Sequence, residues 1–238
     1  MNKNRILAFM GVELNPSSHL EKIISGLGAF IAIAMIYVLS SAIVGKEAYL
    51  IVASMGAASV LLFAVPHGML SQPWPLLGGN LISALVGVSC AMMIPDLVLA
   101  SAAAVGVAIT AMYYLKCLHP PGGATALVAV VGGEAVHSLG YWYVLAPVFI
   151  NVMVMFLVAF LFNAMFQWRR YPASLAQKRN TDEHNADEVP EVIQNMVSHQ
   201  GVEYAMRKID SFIDVNDDDL NRIYQLASDY DKGKTDHE

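Results

Sequence analysis

Residues 23–44 read IISGLGAFIAIAMIYVLSSAIV, twenty-two positions without a single charge. A helix rises about 1.5 Å per residue and a bilayer core is about 30 Å thick, so about 20 apolar residues suffice to cross it. The run is too long for the core of a typical signal peptide and reads as a retained helix. Five further apolar segments follow, at about 48–66, 75–94, 97–116, 119–137 and 142–167. Those at 23–44, 75–94, 97–116 and 142–167 are long and uninterrupted, whereas those at 48–66 and 119–137 are shorter and begin beside small residues. The expected fold is all-α: a polytopic transmembrane helical bundle of four to six membrane segments with an internal repeat and a short cytoplasmic helical tail.

Composition agrees. The chain is 56% hydrophobic and 14% charged, where a soluble domain carries about 25% charged residues. Residues 1–179 have a net charge of +4 and residues 180–238 a net charge of −10, which marks a boundary near residue 180. The expected organisation is a cytoplasmic N-terminus at 1–22, a membrane domain at 23–168, a linker at 169–190 and an acidic helical tail at 191–238. Helices are expected in the tail at about 190–213 and 217–230, with Asp217, Asp218 and Asp219 at the start of the second. That acidic cluster lacks calcium-loop spacing. Cys90 and Cys117 form neither a disulfide framework nor a zinc pattern. No metal, cofactor or nucleic-acid partner is expected, and the lipid bilayer is the first partner. Self-association into a homo-oligomer stays open.

Orientation follows from Lys and Arg. With six crossings and the N-terminus inside, the inner segments hold Lys3, Arg5, Lys22, Lys116, Arg169, Arg170, Lys178 and Arg179, and the outer loops hold Lys46. Both termini are expected in the cytoplasm, with the chain in the cell (inner) membrane. The same answer holds if the second and fifth segments are re-entrant.

Residues 55–65 (MGAASVLLFAV) and 121–131 (PGGATALVAVV) align at an offset of 66, pairing Gly56 with Gly122, Ala58 with Ala124, Ser59 with Thr125, Leu61 with Leu127 and Val65 with Val131. Such repeats are common in transporters. Crossing middle segments make the halves inverted, and re-entrant ones make them parallel.

The chemistry-bearing run is Leu118-His119-Pro120-Pro121-Gly122-Gly123-Ala124-Thr125. Two prolines break helix before them, and proline suits a helix start. Irregular backbone at membrane depth is tolerated where it is buried in protein or lines an aqueous cavity, so this is either a binding element or a structural break. Helix starts near Gly56 and Gly122 are expected to offer backbone N–H groups to an anion, with Ser59 and Thr125 as further donors. Between residues 23 and 168 the acids are Glu47, Asp96 and Glu134, all near segment ends. That argues against a cation pathway, which places carboxylates inside the bundle. The candidate substrate-binding residues are Gly56, Ala57, Ser59, Asn80, Lys116, His119, Gly122, Gly123, Thr125 and Asn151. Lys116 also reads as an interface lysine, and Asn80 and Asn151 also read as helix–helix hydrogen-bond partners. No catalytic constellation stands out, so no enzyme is expected.

LHPPGGATAL at 118–127 closely resembles the signature of the HPP family of integral membrane proteins, as do GAASVLLFAVPHGMLSQPWPLLGGNLISALVGV at 56–88 and GYWYVLAPV at 140–148. The resemblance covers about residues 15–172. It implies four transmembrane helices, with the shorter segments broken or re-entrant. Plastid and cyanobacterial members are implicated in nitrite transport, so it implies a transporter or channel for a small inorganic anion, nitrite the candidate. The alternative is a membrane scaffold that displays an acidic tail. The motif residues carried over are His119, Pro120, Pro121, Gly122, Gly123 and Thr125. Residues 200–230 resemble the connector that precedes paired CBS domains in longer members, and no nucleotide regulation is carried over.

Overall fold

The computed structural model describes residues 18–44 and 48–175, and their side chains except at 43, 44 and 48–52. The tail helices expected at 190–213 and 217–230 lie outside the described residues. Six principal helices occur: α1 (His19–Val44), α2 (Ala48–Ala64), α3 (Pro73–Met93), α4 (Leu97–Tyr114), α5 (Pro120–Val131) and α6 (Ile150–Ala164). A single turn at Gly133–His137 follows α5, and a wide turn at Val144–Phe149 leads into α6. There is no strand among the described residues.

The helix ends follow local chemistry. Ser18 and Glu21 have capping-box spacing, and Ser18 Oγ accepts from the Glu21 N–H at 3.1 Å. That starts α1 four residues before the expected 23. Asp96 caps α4 by accepting from the Leu99 N–H at 2.8 Å. At the end of α4 the Lys116 N–H bonds Tyr113 C=O and the Cys117 N–H bonds Met112 C=O. Lys116 has φ +53°, so this is a Schellman ending with lysine where glycine is usual. The segment expected at 142–167 is not one straight helix. Pro147 and the non-helical Ala146 (φ −135°, ψ 114°) kink it before α6.

Four helical stretches are long and apolar enough to cross a membrane: His19–Ala42, Pro73–Met93, Leu97–Tyr114 and Val144–Ala164. The faces they turn outward are apolar. Met93 is 79% exposed, Val98 78% and Phe30 72%, an arrangement that suits lipid and not water. At twelve residues α5 is about 18 Å long, short of a bilayer core.

Packing shows each helix's direction. Gly28 of α1 lies against Phe63 and Phe162, and Ser40 further along α1 bonds Asn151 at 2.7 Å, so α1 and α6 are antiparallel. Gly79 of α3 meets His119, and Gly87 meets Ala126 and Ala129, so α3 and α5 are parallel. The Trp74 indole N–H donates to Leu115 C=O at 3.1 Å, which joins the start of α3 to the end of α4. One face, here the near face, therefore collects the starts of α1, α3 and α5 and the ends of α2, α4 and α6. Successive helices alternate, so the two halves of three helices have opposite topology.

The packing itself is two-fold. In one sub-bundle α1, α2 and α6 pack together, and in the other α4, α5 and α3. α2–α5 and α3–α6 contacts join the two. Exchanging α1 with α4, α2 with α5 and α3 with α6 maps this set of contacts onto itself. Each repeat thus lends its third helix to the other. The 66-residue offset seen in the sequence and this exchange are independent observations of one inverted repeat.

The halves differ at their middle helices. α5 starts at the paired prolines, as expected. α2 does not start near Gly56, because its helix runs from Ala48 and leaves Gly56 in its interior. The physical reason is the absence of proline between residues 45 and 65.

Candidate functional site

Small residues bring α5 against α3. Gly79, Ser83 and Gly87 recur every four residues along one face of α3, and Gly122, Ala126 and Ala129 face them. A methyl added at Gly79 would lie 2.5 Å from His119 Cβ and 2.8 Å from the Cys117 carbonyl oxygen. One added at Gly122 would lie 2.7 Å from Ser83 Oγ and 3.0 Å from Gly79 C=O. Ala100, Ala104 and Ala108 of α4 close the third side against Ala126 and Val130.

His119 caps α5 and is wholly buried. Gly79, which it touches, lies six residues into α3, so the ring sits about 9 Å in from the near end of that helix. Its Nδ1 is 3.0 Å from Leu70 C=O. A carbonyl only accepts, so Nδ1 carries the hydrogen. Nε2 is buried and has no hydrogen-bond partner. In the neutral ring it is a bare acceptor. Among the described residues it is the one buried side-chain nitrogen or oxygen left unmatched, which is unusual in a packed interior.

A second polar cluster lies deeper. The Thr125 hydroxyl donates to Asn80 Oδ1 at 2.7 Å, Asn80 Nδ2 donates to Leu76 C=O at 2.8 Å, and the Tyr143 hydroxyl donates to Thr125 C=O at 3.2 Å. All three residues are buried.

The candidate residues therefore separate. Asn80, His119, Gly122 and Thr125 come together, with Gly123 on the neighbouring face of α5. Lys116 is exposed at the near face, where its main role is to end α4. Asn151 pairs with Ser40 in the other sub-bundle. Gly56 and Ala57 lie on α2, and the Ser59 hydroxyl donates to Gly56 C=O at 2.7 Å.

The expected backbone cradle is not formed. A helix start normally offers unpaired N–H groups. Here Pro120 and Pro121 have none, and the Gly122 N–H is held by His119 C=O at 2.8 Å. The Thr125 and Ser59 hydroxyl protons are likewise engaged by protein acceptors. The buried side-chain group left without a partner at this end of α5 is His119 Nε2.

Two buried residues outside the candidate set, Arg169 and Tyr171, and the exposed Trp168 tie the end of the domain to the bundle. Arg169, 1% exposed, bonds Glu21 Oε1 and Phe63 C=O, and reaches Ser25 Oγ at 3.1 Å and Asn163 Oδ1 at 3.2 Å. Burial lowers the guanidinium pKa from its ordinary value, and the Glu21 carboxylate opposes that shift. Trp168 donates to Glu21 Oε2 at 2.9 Å. Tyr171 donates to Ser71 C=O at 2.9 Å and is buried, so the expected linker begins with residues that are packed into the bundle.

Residues 15–172 match the family described as HPP, transmembrane region. The chain belongs to the HPP transmembrane family. It is also similar to two transmembrane proteins of Dictyostelium discoideum. One is 36% identical over 153 residues, covering 62% of this chain and 49% of the relative. The other is 35% identical over 126 residues, covering 51% and 44%. The chain spans about half the length of these curated relatives. No solved structure matches it significantly. The HPP signature itself, His119-Pro120-Pro121-Gly122-Gly123, is the N-cap and first turn of α5.

Proposed function

We propose that this HPP protein moves a small inorganic anion across its membrane, with nitrite the leading candidate. The observation that carries the reading is His119, whose Nε2 is buried without a partner beside the start of a short helix. The lack of any Asp or Glu within α3, α4 or α5 supports an anion over a cation. The Lys and Arg balance supports placing the near face, with Lys22, Lys116, Arg169 and Arg170, in the cytoplasm of a cell's inner membrane. Binding then centres on the His119 side chain and not on backbone N–H groups.

One observation favours a scaffold: the polar residues around α5 are closely packed, and Asn80, Ser83, His119 and Thr125 are fully buried. Transport requires α5 to part from α3. Substituting Gly122 by leucine would wedge those helices apart, so it does not isolate binding.

Titration of nitrite into the full chain in lipid nanodiscs tests the site. The expected result is binding that weakens at least tenfold in His119→Gln and changes less than about twofold in Thr125→Val, whose hydroxyl proton is already spent. No binding of nitrite, nitrate, chloride or bicarbonate to folded protein would favour the scaffold.

A further inference from the structure

We infer that an anion entering the α5 site does so together with a proton, carried on His119 Nε2, so that a monovalent anion is moved electroneutrally. The inference rests on the anion-transport reading and deepens it. With Nδ1–H committed to Leu70 C=O at 3.0 Å, the neutral ring presents only a lone pair at Nε2. A bare anion gains nothing from a lone pair. Other donors are few here, since prolines remove two helix-start N–H groups, His119 C=O holds the third and the Ser83 hydroxyl is turned to Met112 Sδ at 3.7 Å. For the ring to offer an anion a hydrogen bond from Nε2 it must be an imidazolium.

The surroundings make the reverse equally true. A buried cation without a counter-charge is costly, and none is at hand. No Asp or Glu occurs in the 65–72 loop, in α3, in α4, in the 115–119 turn or in α5. Asp96 caps the far end of α4, about 27 Å along that helix from the near face. The other titratable groups on these elements supply no negative charge. Cys117 is a free buried thiol beside Gly78 and Cys90 a free thiol towards the far end of α3. Lys116, Tyr113 and Tyr114 are exposed. His67 Nε2 lies 3.1 Å from Arg170 C=O. Tyr143 is spent on Thr125 C=O, and Glu21 is taken by Arg169. Proton and anion therefore each need the other, which is a coupling free energy between two ligands.

The step balances. A hydronium ion at the near face gives its proton to Nε2, leaving water and forming an N–H bond. That N–H donates to the anion, and on release the proton returns to water as the anion leaves.

The test uses the full chain in proteoliposomes containing a pH-sensitive dye, with protein-free vesicles as the background. An inward nitrite or nitrate gradient is applied at several clamped potentials. The expected result is internal acidification at about one proton per anion, a rate independent of potential, and anion affinity that falls about tenfold per pH unit on the alkaline side. His119→Gln is expected to lose at least nine-tenths of the acidification. Anion uptake without acidification, at a rate that follows the potential, would overturn the coupling and leave the transport reading standing. No uptake of either anion at any pH would overturn both. The wild-type stoichiometry decides the matter even if the variant does not fold.

Discussion

At the residue scale, the closeness of α3 to α5 depends on the absence of side chains. Gly87 illustrates it, since a methyl there would lie 2.5 Å from Ala126 C=O and 2.8 Å from Ala129 Cβ. Backbone cannot yield as a flexible side chain can, and overpacking typically costs about 1–3 kcal/mol. Gly87→Ala is therefore expected to lower the thermal unfolding midpoint in detergent. Gly26→Ala, on the open face of α1 with nothing within 4 Å, is expected to be neutral or stabilising by up to about 1 kcal/mol. Equal midpoints for the two variants would contradict this packing. The sequence showed that small residues were abundant but not which of them mattered. That depends on which face of a helix meets a neighbour, and small residues also lie where nothing packs, as at Gly26 and Gly106. His119 was legible as a candidate because prolines and glycines surround it. Its unmatched Nε2 was not, since that follows from Leu70, 49 residues away in sequence.

At the element scale, apolar length located all six helices, because the bilayer fixes how much apolar chain a crossing needs. The start of α5 was also legible, because proline acts locally. The matching start at Gly56 was not observed, because repeat alignment carried over a break whose cause, the prolines, is present in only one half. The ends of α1 and α6 are held together by a contact invisible to any local reading: Glu21 and Arg169 are 148 residues apart. Arg169 resembled one more interfacial cation after an apolar segment. It is instead the clasp joining α1, α2 and α6 at the near face. Removing one partner of a buried pair costs about 3–5 kcal/mol, moderated here because the Glu21 side chain keeps 26% exposure. Arg169→Ala is expected to destabilise the protein by about 3 kcal/mol, and Arg169→Lys to recover only part, since one ammonium cannot span Phe63 C=O, Asn163, Ser25 and Glu21 together. Chemical unfolding in mixed micelles measures both. A loss below about 0.5 kcal/mol in Arg169→Ala, within the range of an ordinary surface change, would show that the clasp is dispensable.

At the scale of the whole molecule, the sequence left inverted and parallel repeats equally open. The alternation of helix directions makes the repeat inverted, and the exchange of α3 and α6 between halves joins them into one body. Inverted repeats suit alternating access, in which one sub-bundle rocks against the other around a site at their centre. Only one half here has a proline-started short helix, so the symmetry is broken at His119. His119 lies within the α3–α4–α5 sub-bundle, so on the transport proposal the α3–α5 contact itself must open. The central claim, that this HPP protein carries a small inorganic anion, is tested most directly by initial rates of nitrite uptake into proteoliposomes, compared with protein-free vesicles and with nitrate, chloride and bicarbonate as competitors. Saturable, protein-dependent uptake that another small anion inhibits and His119→Gln abolishes is the predicted result. Uptake no faster than in protein-free vesicles, with the protein folded and none of the four anions transported, would contradict it.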